Sequence, residues 1–477
     1  MSQRQSIPQK AVSGNRTEEK HVTNIESLCG AVSWIVPEGL FNDLPRHGNT
    51  RWLPSDLVML TVLWVWSDRA TLTDAFVQAC GWSMRMLDRV ALATYQGFTG
   101  ALATWTGLWL PLLWQRLHQL MEECGGKFFR IGKWVPLAID GSRISTPRTT
   151  ANEAEFCARN YGHGITAQRR KKKNKGKRRR KKAKPQPVKP QIWLTLLWHM
   201  GMRMPWSWKI GPSNSSERQH MQEMLKEQKY PENTLFCGDA GFVGYDFWNS
   251  ILEAGHHFVI RVGGNIRLLR NLGYVRERDG IVYCWPEKAM KQEKPPLVLR
   301  LLHLRAGRDE IYVVTNVLDR RELSDQQIAE LYRLRWGIEV QFRALKQTFG
   351  RRKLRSRTPD CAQVELHWSL LGLWMVQLFA VKEQIPIGNP PEQSSVSLAI
   401  RVIRTMLFDW SETPAIGEDL TVQLQCAVKD RYQRHGQKTG RYQPDYKDKP
   451  SAGKPIIRTA TPKQIQALGE CINQMAA

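Results

Sequence analysis

From about residue 130 to residue 262, short apolar runs alternate with amphipathic stretches, and this alternation limits the fold more than any other feature of the chain. WVPLAID, ending on Asp140, reads as a strand, and IWLTLLW and RMPWSWKIG as two more. PSNSSERQHMQEMLKEQ reads as a helix, with Asn214 and Glu217 spaced for a capping box. TLFCGD, ending on Asp239, is again a strand. YDFWNSILEAG follows as a helix with Asp246 placed to cap it, and HFVIRV as another strand. Strands and helices in alternation pack as layers around one mixed sheet, so the fold class is α/β. A lone aspartate at a strand end is commonly a turn or cap residue. Asp140 and Asp239 therefore need a third feature before they mean anything chemical.

That feature is the segment YRLRWGIEVQFRALKQTFG. Tyr332, Arg335, Glu339 and Lys346 are separated by three, four and seven residues. At about 100° per residue they fall within an arc of about 60° on one helix, opened by Ser324 or Asp325. Leu331, Leu334, Ile338, Phe342, Leu345 and Phe349 form the neighbouring apolar face. The helix can bury that face and still present a hydroxyl, two cations and a carboxylate. A carboxylate among cations suits a metal beside a phosphodiester. The structural alternative for Arg335 and Lys346 is ordinary salt bridging along a helix surface.

The spacing Y-x2-R-x3-E-x6-K resembles the signature of the IS4-type DDE transposases, bacterial cut-and-paste enzymes that include the Tn5 and Tn10 transposases. The aspartate contexts LAIDGSRI and LFCGDAGFVGYDFW agree with it, and the resemblance covers roughly residues 130 to 360. It implies an RNase H-like core over 127–262 and 319–360, with a β-rich insertion at 263–318. It implies that Asp140, Asp239 and Glu339 are the catalytic triad and hold two Mg2+ ions, Mn2+ substituting. Such hard ions take carboxylate, water and substrate oxygens, and a pair about 3.5–4 Å apart can serve both the attacking and the leaving oxygen. It implies that Arg335 contacts phosphates at the transposon end and that Tyr332 and Lys346 contact the flanking strand. The implied partners are double-stranded DNA, as terminal inverted repeats and target, and a second copy of the chain on paired ends. Related enzymes stack a flipped base on an insertion tryptophan. The matching position is Ile311, with Tyr312 adjacent and Trp285 elsewhere in the insertion. Two other readings are an RNase H-like nuclease without strand transfer and a catalytically silent DNA-binding relative.

The flanks are helical in pattern. Residues 1–126 contain several short helices, among them DLVMLTVLWVW with Ser55 as a candidate cap. They suit either a DNA reader of helix-turn-helix type or a helical lid on the core. Residues 361–477 carry an apolar helix and, at 428–456, a basic segment that reads as mobile. The C-terminal helices are the expected dimer contact. The net charge of +26 favours a polyanionic partner. Within 169–184 all residues but Asn174, Gly176 and Ala183 are basic, which suits a loop in non-specific contact with DNA; a solvated loop and a localisation signal are the alternative readings. The nine scattered cysteines contain no C-x2-C pair, which argues against a zinc ribbon and a disulfide framework. The apolar stretch Trp368 to Val381 is shorter than the roughly 20 residues of a membrane span and reads as a buried helix. With no apolar core at the N-terminus, the expected location is the bacterial cytoplasm, at the nucleoid.

Overall fold

The computed structural model describes residues 24–45, 50–157, 189–263, 275–276, 280–306, 309–408, 419–430 and 453–476. The basic run 169–184 and most of the segment 428–456 lie outside the described residues.

Among the described residues nine strands form one sheet: β1 (Val135–Ser145), β2 (Gln191–His199), β3 (Met204–Gly211), β4 (Thr234–Gly238), β5 (His257–Val262), β6 (Val275–Arg276), β7 (Ile281–Cys284), β8 (Leu297–Ala306) and β9 (Asp309–Thr315). Their order is β3-β2-β1-β4-β5-β9-β8-β7-β6. β1, β2 and β3 pair antiparallel, while β4 runs parallel to both β1 and β5. The order 3-2-1-4-5 with these directions is an RNase H-like core. A central strand covered on both faces reads as a continuous apolar run. β1 from Val135 to Ile139 and all of β4 are buried accordingly. Beyond the core, β9 pairs antiparallel with β5, so β6–β9 extend the same sheet.

Helices α1 (Asn24–Ile35), α2 (Pro54–Trp66), α3 (Leu72–Leu87) and α4 (Tyr95–Gly125) precede the sheet. The next are α5 (Thr150–Phe156), α6 (Glu217–Glu227), α7 (Tyr245–Glu253) and α8 (Glu287–Met290). Then come α9 (Asp325–Arg335), α10 (Gly337–Arg343), α11 (Pro359–Gln384), α12 (Val396–Phe408), α13 (Leu420–Gln425) and α14 (Pro462–Ala476). The apolar stretch from Trp368 is the heart of α11. This helix is long and apolar enough to cross a membrane, but 94% of its most apolar window is buried inside the protein. It packs against α2, α4, α12, α13 and β3. Trp66 Nε1 donates to Gly372 O at 3.0 Å, and the bare Gly372 lets α2 and α11 approach.

Three expected caps are absent. α2 starts at Pro54 after Leu53, so Ser55 lies inside the helix; proline at the first position needs no donor there. α7 is capped by the backbone of Gly244, and Asp246 pairs with Lys294 at 3.1 Å instead. α6 begins after Ser216 without a side-chain cap, because Glu217 is turned towards the aspartates.

Candidate active site

Two strands part where the first two acids sit. β1 and β4 are last paired at Ala138 and Cys237. Asp140 and Asp239 each lie two residues further on, so they share a register and a face across the opening. Asp140 is not at a strand end, as the sequence suggested. β1 continues to Ser145 because β2 pairs with it all the way, with Asp140 opposite Leu196. What ends near Asp140 is its other neighbour, β4. Gly141 N donates to Asp140 Oδ1 at 2.8 Å, and Gly241 N to Asp239 Oδ1 at 2.7 Å. Each carboxylate thus has one oxygen fixed by backbone and a second left for another partner.

The third acid comes from the helical segment that packs on β1 and β4. Ser324 opens it with a reciprocal capping box to Gln327. It is not one continuous helix: α9 ends at Arg335, α10 spans Gly337–Arg343, and Ala344–Thr348 form a π turn. The charges of Asp239, Arg335 and Glu339 all act on Asp140. Burial, with Asp239 as the larger carboxylate neighbour, pushes Asp140 up to about 6. Lys346 Nζ donates to Ser142 Oγ at 2.6 Å, on the strand that carries Asp140. Burial first, and then Arg352, lowers its pKa. Tyr332 differs from expectation. It is 8% exposed, its hydroxyl has no partner among the described residues, and the Arg335 guanidinium lies over its ring at 5.3 Å. The ring backs the guanidinium, and the hydroxyl is not presented to solvent.

The sequence did not mark Glu217 as part of this group. Its carboxylate lies against Gly141, where a Cβ would collide with it, and 3.8 Å from the Cβ position of Gly241. It has no hydrogen bond or ion pair among the described residues. Burial, then Asp140 and Asp239, push it up to about 7. The available signal was the pair of glycines that follow the two aspartates. Each makes space beside an acid, though nothing in the chain says what fills that space.

Neither insertion aromatic is free to stack a base. Tyr312 lies flat on His303, ring centroids 4.6 Å apart, and buried Trp285 donates to Lys294 O at 2.7 Å. Trp336, between Arg335 and Glu339 in sequence, is 58% exposed and is the only exposed tryptophan among the described residues.

The donor set suits a hard divalent cation. Its members are carboxylates with free oxygens, and their crowding is relieved when a cation neutralises them. As they stand, no three His, Cys, Asp or Glu side chains among the described residues are grouped closely enough to hold one.

Comparison with known proteins places residues 135–375 in the family described as Transposase DDE domain. The transposase InsG of insertion sequence element IS4 from Escherichia coli (strain K12) is 25% identical over 284 residues, 57% of this chain and 58% of that protein. The transposase homologue y4zB of Sinorhizobium fredii (strain NBRC 101917 / NGR234) is 30% identical over 150 residues, 30% of this chain and 41% of that one. The matches thus span less than two thirds of either relative. A piggyBac transposase synaptic complex with hairpin DNA aligns at a TM-score of 0.37 and 12% identity, covering 86% of this chain and 84% of that one.

Proposed function

The chain belongs to the DDE transposases, with the transposase of an IS4 element among its relatives, and from that premise we propose a cut-and-paste enzyme. It binds the terminal inverted repeats of its element, cleaves the ends by metal-dependent phosphoryl transfer and joins the 3′-ends to target DNA. One observation carries this reading: Asp140 and Asp239 share a register where β1 and β4 part, and the segment bearing Glu339 packs on the same two strands.

Asp140, Asp239 and Glu339 would hold divalent metal ions, Mg2+ or Mn2+, which when bound activate the attacking hydroxyl and stabilise the leaving oxygen. Glu217 adds a fourth carboxylate to the same site. Arg335, stiffened by the Tyr332 ring, offers a flat fork of donors to a backbone phosphate. Lys346 is held at Ser142, beside Asp140, and supplies a point charge to the flanking strand. Exposed Trp336 offers a face on which a base next to the scissile phosphate can stack. Two ends cut and joined together require two copies of the chain, with the C-terminal helices as their contact and the N-terminal helices on the repeats.

The test is cleavage of the element's own terminal-repeat DNA with Mg2+ by the intact protein and by Glu339→Ala. The expected outcome is nicked and joined products from the intact protein, and a loss of at least a hundredfold in the variant with DNA binding retained. Equal cleavage by both would remove Glu339 from the active site. Binding without cleavage by either would favour a silent DNA binder.

A further inference from the structure

The helical segment that carries Glu339 has a second working face. Gly337, Gln341, Ala344 and Thr348 border a cavity of about 280 Å³, and none of Arg335, Glu339 and Lys346 lines it. Trp198 at the end of β2 and Arg203 in the following turn form one wall. Ser394 and Lys429 are on another, joined through the antiparallel bridge between Ser394 and Val428. Arg343 adds a third cation, and no Asp or Glu among the described residues lines the space.

Three of the residues that line the cavity carry donors without acceptors among the described residues. The Arg203 guanidinium lies over the Trp198 ring at 5.1 Å and has no hydrogen bond or ion pair among the described residues. Trp198 Nε1 and Ser394 Oγ, on two residues that line the cavity, are both buried without partners among the described residues. Buried donors are rarely left unpaired without an unseen partner. Lys429 donates to Glu392 O at 2.7 Å, and the charge of Glu392 acts on Arg203, but Glu392 does not line the cavity.

The backbone is arranged to keep Arg203 there. Its φ of 62° lies in the left-handed region that disfavours a long side chain. Gln377 Nε2 holds its carbonyl at 2.9 Å. A Cβ on Gly337 would stand 2.8 Å from Arg203 Cζ and collide with Trp198, so the catalytic helix must be bare at that point for the guanidinium to pass.

We infer that this cavity is a phosphate-binding site, built from Arg203, Lys429, Ser394 and Trp198 on the side of the catalytic helix away from the acids. It takes a phosphate group, either from a DNA backbone or from a free phosphorylated compound. Binding here needs none of the carboxylates, so Glu339→Ala leaves it intact and failure of the cleavage reading would not touch it.

The probes are inorganic phosphate, titrated calorimetrically into the full chain at constant ionic strength, and a non-specific DNA duplex bound across a salt series. Arg203→Met keeps the stem packed on Trp198 and removes the charge. Lys429→Gln changes an exposed rim residue, so it remains readable if Arg203→Met does not fold. The expected result is phosphate binding to the parent chain, at least tenfold weaker in Arg203→Met and several-fold weaker in Lys429→Gln. If each variant also lowers the salt slope for duplex by about one ion, the DNA backbone is the source of the phosphate. If phosphate binding falls with the duplex slope unchanged, the source is a free phosphorylated compound. Equal phosphate affinity in the parent and Lys429→Gln, or no binding to the parent chain, overturns the inference.

Discussion

Glu217 carries a half-buried carboxylate with no partner among the described residues, next to two others. Its pKa in the folded protein is raised to about 7 and that of Asp140 to about 6, chiefly by burial and then by neighbouring charge. Both are higher than in an unfolded chain, where they lie near 4. The sign follows from proton linkage: the folded state binds these protons more tightly. This contribution to stability is complete below about pH 4 and is lost as pH rises through about 6 and then 7. In the presence of EDTA, Glu217→Gln should therefore melt higher than the parent at pH 8 and should equal it near pH 4. Added Mg2+ should close the gap at pH 8 by stabilising the parent more. Thermal melts at the two pH values check this; a variant that melts lower at pH 8 would show that the Glu217 charge is favourable in the folded protein. The residues of the stripe were legible because helical spacing survives in sequence. Glu217 was not, since it lies 77 residues from Asp140 and only the meeting of α6 with β1 brings them together.

The helical segment that bears Glu339 is anchored from behind. After the π turn the chain passes through Arg351, which is buried and donates to Ser369 Oγ at 2.8 Å on α11. Glu365, fully buried on the same helix, stands 3.6 Å from Arg351 and accepts from Arg355 N, Ser356 N and Ser356 Oγ. Burial lowers the pKa of Arg351, with Glu365 opposing that effect. Removing one member of such a pair leaves the other charge buried and uncompensated. Glu365→Ala should cost about 3–5 kcal/mol in urea unfolding, and the double variant Glu365→Leu with Arg351→Met should recover part of it. A cost below about 1 kcal/mol would show that water replaces the lost acceptor. The sequence suggested one continuous helix through Phe349, because apolar spacing does not register a π turn. The extra residue per turn is visible only in the bonds, such as Phe349 N to Ala344 O at 3.0 Å.

At the scale of the whole molecule, charge and topology act separately. The chain carries +26, and the run at 169–184 supplies half of that from between β1 and β2, close in sequence to the strand that bears Asp140. Deleting 169–184 should lower affinity for a non-specific duplex and reduce the salt slope by several ions, with the melting temperature unchanged. An unchanged slope in a filter-binding or anisotropy salt series would mean that this run does not meet DNA. The alternation of apolar runs with helices determined the α/β class, because burying both faces of a central strand demands it. The spacing of Tyr332, Arg335, Glu339 and Lys346 picked out the helical segment that we propose carries the third acid, because residues four apart on a helix are neighbours whatever surrounds them. Only the tertiary structure decided that Asp140 sits within a strand, that Glu217 joins the acids, that the Tyr332 ring backs Arg335, and that Arg203 stands behind the helix with no partner among the described residues. Those four facts depend on where separate segments meet, and local spacing carries no record of that.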